Sequence, residues 1–233
     1  MTLALFGLSV TLAVLLPHAG AYAFPVLLAT IRCLDVALVV AERGAAPRRW
    51  WLDVPAHVVQ PSRLVPWAAG VLLGGRSLDL WPDLPWWLAV PIVAVVLDVE
   101  QYAMHRAAHT SPTLWRFHSW HHASEAPTAM NRRWAHPLDP TLWGLGGLGL
   151  VAVGCPVAVL AGAMGLQLTA MLQHCHADLP DHGLGRWLLL GAHHRQHHDD
   201  GGRAVWCGLW LTCWDRLWGT ADLSSPPALR VER

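Results

Sequence analysis

"HRAAHTSPTLWRFHSWHH", residues 105–122, sets five histidines and two arginines into eighteen positions. It follows directly on "LPWWLAVPIVAVVLDVEQYAM", residues 84–104, which is almost wholly apolar. An apolar segment that ends on imidazoles predicts a membrane-crossing helix with a polar site at its exit. His105 and His109 are four apart, so a continuous helix puts them on one face, and Asp98 and Tyr102 extend that face backwards. "TSP" then breaks the helix: Ser111 can cap the next one and Pro112 suits its first position. That second helix carries His118, His121 and His122 at i, i+3, i+4, and "HHRQHH" repeats the spacing as His194, His197 and His198.

The composition agrees. Hydrophobic residues make up 54% of the 233 and charged residues 14%, against roughly a quarter in ordinary soluble domains. The apolar residues come in blocks, which is a membrane composition rather than a generous soluble core. Sixteen arginines balance sixteen acidic residues, so no global field draws nucleic acid, and none is expected as a partner. The five cysteines lack CxxC spacing and read as buried thiols. Fifteen tryptophans suit membrane interfaces.

The other apolar blocks are "LALFGLSVTLAVLL" (residues 3–16), read as a retained helix, "FPVLLATIRCLDVALVVA" (24–41), the short "LVPWAAGVLLGG" (64–75), and residues 142–172. The last is long enough for two crossings turning near Gly154 to Pro156. Residues 64–75 suit a re-entrant or tilted piece. Twelve arginines fall in the three intervening segments, and the opposite turns hold only Arg76. The positive-inside rule then places those segments, the histidines and both termini in the cytoplasm. The expected fold is all-α: a multi-pass transmembrane bundle in the cell membrane with a cytoplasmic, histidine-rich dimetal cap. "GLGGLG", Gly144 to Gly149, fits a dinucleotide pattern, but it lies in an apolar hairpin and reads as close helix packing.

Thirteen of the fifteen histidines lie between His105 and His198. The three spaced clusters and His174, at the end of the last apolar block, give nine imidazoles, enough for four or five ligands to each of two metals. Neutral imidazole suits iron, copper, zinc and nickel, and the lack of thiolate ligands argues against a structural zinc site.

"DVEQYAMHRAAHTSPTLWRFHSWHH" resembles the first two histidine boxes of the fatty acid hydroxylase / sterol desaturase superfamily, integral-membrane non-haem diiron oxygenases. "NRRWAHPLD" (131–139), the "QH" of Gln173 and His174, the HxxHH of 194–198 and "WDRLWGT" (214–220) extend the likeness over roughly residues 85–220. The resemblance implies that His105, His109, His118, His121, His122, His174, His194, His197 and His198 bind two iron ions. It also implies O2 as co-substrate and hydroxylation or desaturation of an unactivated C–H bond in a lipidic substrate, such as a fatty acyl chain, sterol or terpenoid. The chain shows no nicotinamide, flavin or fused haem-carrier motif, so a separate reductase, ferredoxin or cytochrome is expected to supply electrons. The domains expected are membrane helices over 1–84, the catalytic region over 85–220 and a tail over 221–233. Where the family often has asparagine and phenylalanine, this chain has His176 and Trp218.

Four further residues are candidates for metal contact or for support of a ligand. Asp98 could orient an imidazole, His136 lies in a family-like patch, and His176 neighbours His174. His193, four before His197, could stand in for His194. Trp206, Trp210, Trp214 and Trp218 recur every four residues and form one stripe if that stretch is helical. The rival reading is a non-enzymatic metal transporter or haem-binding electron carrier. A transporter needs ligands along an intramembrane path, and bis-histidine haem uses only two of the nine.

Overall fold

Trp86–Thr110 forms a single 25-residue helix, α1, about 37 Å long at 1.5 Å per residue. The computed structural model describes residues 84–123, 135–136, 138–139, 169–170, 172–174 and 186–223. The expected helices over 3–16 and 24–41, the 64–75 segment, most of the 142–172 hairpin, "GLGGLG", His18, His57, His176 and His182 lie outside them. Within the described residues α1 is the one helix long and apolar enough to cross a membrane, with a mean hydropathy of 1.5 over its apolar stretch. Ala89, Val93, Ala94, Leu97, Asp98, Tyr102, His105 and Ala108 form its buried face. The other side exposes Trp87, Leu88, Ile92, Val95 and Val96. A helix apolar on both sides at its N-terminal half suits hydrocarbon on the outer one.

Ser111 ends α1 and begins α2 (Pro112–His122). Its extended backbone (φ −101°, ψ 118°) stops the first helix, its N–H donates to Ala107 O, and its hydroxyl accepts from Leu114 N at 3.5 Å. With Pro112 at the first helical position, where a missing N–H costs nothing, one residue turns the chain between two histidine-bearing helices.

The C-terminal part carries α3 (Gly191–Asp199) and α4 (Cys213–Trp218). Leu189 N donates to Trp210 O and Thr212 N to Trp187 O, both at 2.9 Å, around an isolated antiparallel bridge between Leu188 and Leu211. These bonds pinch 187–189 against 210–212, so α3 and the turn after it form a closed excursion. No strand is present among the described residues; the fold there is helical.

Residues 200–212 are turns and bends, which separates the four tryptophans. Gly201 (φ 65°), Gly202 (φ 87°) and Trp206 (φ 50°) take the left-handed backbone that no helix tolerates. Only Trp214 and Trp218 share a helix; their rings stack at 5.5 Å, and Trp218 stacks on Tyr102 at 5.1 Å. Trp206 instead packs on His193 and donates its indole N–H to Gln196. α4 is thereby fastened to the middle of α1, where Asp98 accepts from Trp214 Nε1 at 2.7 Å and Leu211 N at 3.2 Å.

Candidate metal centre

The helices bring the nine clustered histidines together in two groups. His105, His109, His118, His122 and His197 form one, and His121, His174, His194 and His198 the other; within each, one nitrogen per ring lies within 4.8 Å of all the rest. The groups adjoin: the rings of His122 and His198 stack at 4.4 Å, and those of His118 and His121 lie 5.5 Å apart.

The division follows helix geometry. His105 and His109, one turn apart on α1, go to the same group. On α2, His118 and His122 join the five-histidine group and His121 the other. On α3 the order reverses, with His194 and His198 in the four-histidine group and His197 in the five. Successive helical residues diverge by about 100°, so a side-by-side pair such as His121 and His122 supplies both groups from one short helix. The spacing alone puts three residues on one face; it does not show that the face is shared between two centres.

Backbone carbonyls anchor the outer edge of the five-histidine group. His105 Nδ1 meets Cys207 O at 2.8 Å, His109 Nδ1 meets Gly202 O at 2.9 Å, and His197 Nδ1 meets Val205 O at 2.6 Å. A carbonyl only accepts, so each Nδ1 carries the proton and each Nε2 keeps its lone pair. His118 Nδ1 lies 3.2 and 3.3 Å from the two oxygens of buried Asp139. These four partners were missed from the sequence. Three are main-chain groups without a residue signature. Asp139 ends the "NRRWAHPLD" patch, which was the only available signal.

The loop bearing those carbonyls is built for close approach. A Cβ on Gly202 would stand 2.7 Å from Trp115 Cζ2. Asp215 is completely buried and accepts from Cys207 N at 2.6 Å, Gly208 N at 3.0 Å and Thr220 Oγ1 at 2.7 Å. Burial raises the Asp215 carboxyl above its usual range against these hydrogen bonds. Burial, with Asp215 beside it, also pushes the Cys207 thiol up and leaves it inert.

In the four-histidine group the described rings face one another. His174 Nδ1 donates to Ala170 O at 2.7 Å. Its Nε2 faces His194 Nε2 at 2.9 Å and His121 Nε2 at 3.4 Å, while His194 Nε2 also faces His198 Nε2 at 3.1 Å. One nitrogen set among several others cannot satisfy them all with a single proton; a cation among the lone pairs can. His109 Nε2, His197 Nε2 and both His122 nitrogens are likewise buried without a hydrogen-bond partner. Each such atom costs about 1–3 kcal/mol, which a metal bond removes. Burial first, and then neighbouring histidines, hold His122, His194, His197 and His198 below the usual imidazole range, which keeps them neutral as ligation requires.

The other candidates lie elsewhere. Asp98 bonds Leu211 and Trp214, not an imidazole. His136 packs against Phe117 and Trp120, each at 4.8 Å, and its Nδ1 accepts from Leu138 N. His193 lies on the Trp206 ring at 4.4 Å, and His194 takes the place in the group. Gln173 is buried and donates to Leu209 O, tying its helix to the same C-terminal region.

Over the described residues, two adjoining groups of imidazoles at the end of an apolar helix define a helical protein whose histidines could hold metal ions. Comparison with known proteins supplies the family. Residues 90–220, more than half the chain, match the fatty acid hydroxylase family, and the chain belongs to it. It is 33% identical over 157 residues to an ornithine lipid hydroxylase of Rhizobium tropici, covering 63% of this chain and 45% of that protein. It is 30% identical over 143 residues to a very-long-chain aldehyde decarbonylase of Oryza sativa subsp. indica, covering 55% of this chain and 52% of that one. A fatty acid hydroxylase of a Lecanicillium species is 31% identical over 113 residues, 39% of this chain and 31% of that protein. The chain thus spans about half or less of the length of these relatives. No solved structure matches it.

Proposed function

We propose that this protein is a membrane-bound non-haem diiron oxygenase that hydroxylates an unactivated C–H bond of a lipidic substrate, using O2 and electrons from a separate donor. The observation that supports it most is the pair of adjoining imidazole groups with converging, buried nitrogens. In this reading His105, His109, His118, His122 and His197 hold one iron, and His121, His174, His194 and His198 the other. Bound iron would supply the oxygen chemistry; the chain supplies position and environment. The 202–207 carbonyls and Asp139 fix ring orientation and tautomer. Burial keeps the imidazoles neutral and limits water at the centre. The exposed apolar side of α1 borders the bilayer from which a lipid substrate enters. Two of the relatives, an ornithine lipid hydroxylase and a fatty acid hydroxylase, favour hydroxylation of such a chain over desaturation.

Iron-replete expression and metal analysis test the reading: about two irons per folded chain are expected, and a value near zero sinks it. Lipid profiling of a host with and without the gene should show a product one oxygen heavier than its precursor. The multi-pass topology, with boxes and termini in the cytoplasm, belongs to the same proposal. Single cysteines at positions 124, 157 and 200, in a background freed of native cysteines, check it. Positions 124 and 200 should label from the cytoplasmic face and 157 should not. Labelling of 124 and 200 from opposite faces is incompatible with one shared site.

A further inference from the structure

The peptide unit joining Cys207 to Gly208 lies between a carboxylate and a histidine. Its carbonyl accepts from His105 Nδ1 at 2.8 Å, and its N–H donates to Asp215 Oδ2 at 3.0 Å. The preceding amide, Cys207 N–H, donates to Asp215 Oδ1 at 2.6 Å. Thr220 Oγ1 donates to that same oxygen at 2.7 Å and meets Tyr102 OH at 2.9 Å. Asp215 itself makes no hydrogen bond to any described histidine. Gly208 leaves room for the carboxylate: a Cβ there would stand 2.7 Å from Asp215 Oδ2 and 2.9 Å from Leu211 O.

A wholly buried carboxylate is costly unless donors converge on it, and here three do. An anion accepting a peptide N–H polarises that unit and strengthens its carbonyl as an acceptor. The carbonyl strengthened here holds the proton of His105 Nδ1. The effect is that of a carboxylate bonded directly to a ligand imidazole, carried through one peptide unit. The same carboxylate pins the start of the 207–208 turn, two residues after Val205, whose carbonyl holds His197.

We infer that Asp215 is a positioning residue of the metal centre: through the Cys207–Gly208 peptide it sets the tautomer, orientation and basicity of His105, and it acts on the five-histidine group alone. The inference rests on the metal reading proposed above, and it separates the two groups, because the ring that the Cys207–Gly208 peptide holds, His105, belongs to the five-histidine group.

The test is titration of the metal-free full chain in detergent with Co²⁺, followed by visible absorption and bound-metal analysis. Wild type should take up two ions, and His198→Ala identifies the step that belongs to the four-histidine group. In Asp215→Asn the amide NH2 replaces one acceptor oxygen and confronts a backbone N–H. One ion, at the five-histidine position, should bind about 10–100-fold more weakly with an altered cobalt absorption band, while the other is unchanged. Two ions bound as in wild type, with the same spectrum, overturn the inference and leave the metal reading standing. A wild-type chain that binds no cobalt removes the metal reading itself. Thr220→Val keeps the carboxylate and removes only one donor, so it serves if Asp215→Asn does not fold. It should weaken the same ion a few-fold, and an unchanged or evenly weakened pair overturns the inference.

Discussion

The two histidine groups are built from the same side chain and the same short helices, yet they are held differently. In the five-histidine group, four rings have their Nδ1 against an outer acceptor: three loop carbonyls and the Asp139 carboxylate. In the four-histidine group His174 is fixed by Ala170 O, while Nδ1 of His194 and of His198 are buried without a hydrogen-bond partner. There the Nε2 atoms crowd one another at 2.9–3.4 Å. Rings held by an outer acceptor are oriented by the protein before any ion arrives; His194 and His198, whose Nδ1 atoms lack one, take their order from the ion. Outer partners are worth about 10–100-fold in metal affinity. The five-histidine position should therefore keep its ion when the four-histidine position has lost one, and stepwise dialysis against a chelator should pass through a one-ion state. Simultaneous loss of both ions would break the comparison.

The largest effect belongs to the imidazoles themselves. His121→Ala and His197→Ala, one from each group, should each reduce turnover by more than the roughly 100-fold that loss of an outer partner costs. Each should remove one ion and leave membrane insertion intact, as measured by metal content and membrane fractionation. Activity retained within a few-fold would take that residue out of the centre.

Next comes the carboxylate behind His118. Asp139→Asn keeps an acceptor oxygen 3.2 Å from His118 Nδ1 but removes its charge, so metal affinity at the five-histidine position should fall about tenfold. An equal fall at both positions would show that Asp139 supports the whole cap rather than one group.

Gly202→Ala is smaller and acts through the backbone. Its φ of 87° and the Trp115 ring 2.7 Å from a new Cβ oppose any side chain. The strain is about 2 kcal/mol, read as a lower unfolding temperature in detergent. The Gly202 carbonyl would shift away from His109, weakening the ion at the five-histidine position modestly. Unchanged stability would mean that the turn adapts at no cost, and that the loop is a looser brace than the comparison assumes.

How much of this was legible in the sequence follows from what each part is made of. Side chains at helical spacing read well. The break at Ser111 and Pro112 and the shared face of His105 and His109 came from spacing, and the nine histidines chosen by spacing and the family likeness do gather into two groups. The loop did not read. Four tryptophans at every fourth position imitate a helix, but Gly201, Gly202 and Trp206 at positive φ turn the chain out of it. Its contribution to the centre is three carbonyls, which any residue possesses. Nor does i, i+3, i+4 spacing show that α2 gives two rings to one group and one to the other. That assignment depends on how α2 and α3 meet, a tertiary fact. Asp98 illustrates the converse error: a carboxylate one turn from Tyr102 on the histidine face holds Trp214 and Leu211 instead.

His136 gives the smallest effect and the sharpest limit on the comparison. It lies near His118 and His121 in the fold, since Phe117 and Trp120 on the same helix both pack against its ring at 4.8 Å. Its Nδ1 is engaged by Leu138 N–H at 3.2 Å, and it belongs to neither group of converging nitrogens. Removing the ring deletes two aromatic contacts, each worth about 0.5–1.5 kcal/mol, on a surface where Trp120 is itself half exposed. His136→Ala should thus lower the unfolding temperature slightly, keep two ions per chain and leave turnover within a few-fold of wild type. Loss of one ion in that variant would add a tenth imidazole to the centre. The contrast between the two groups would then have to be redrawn around it.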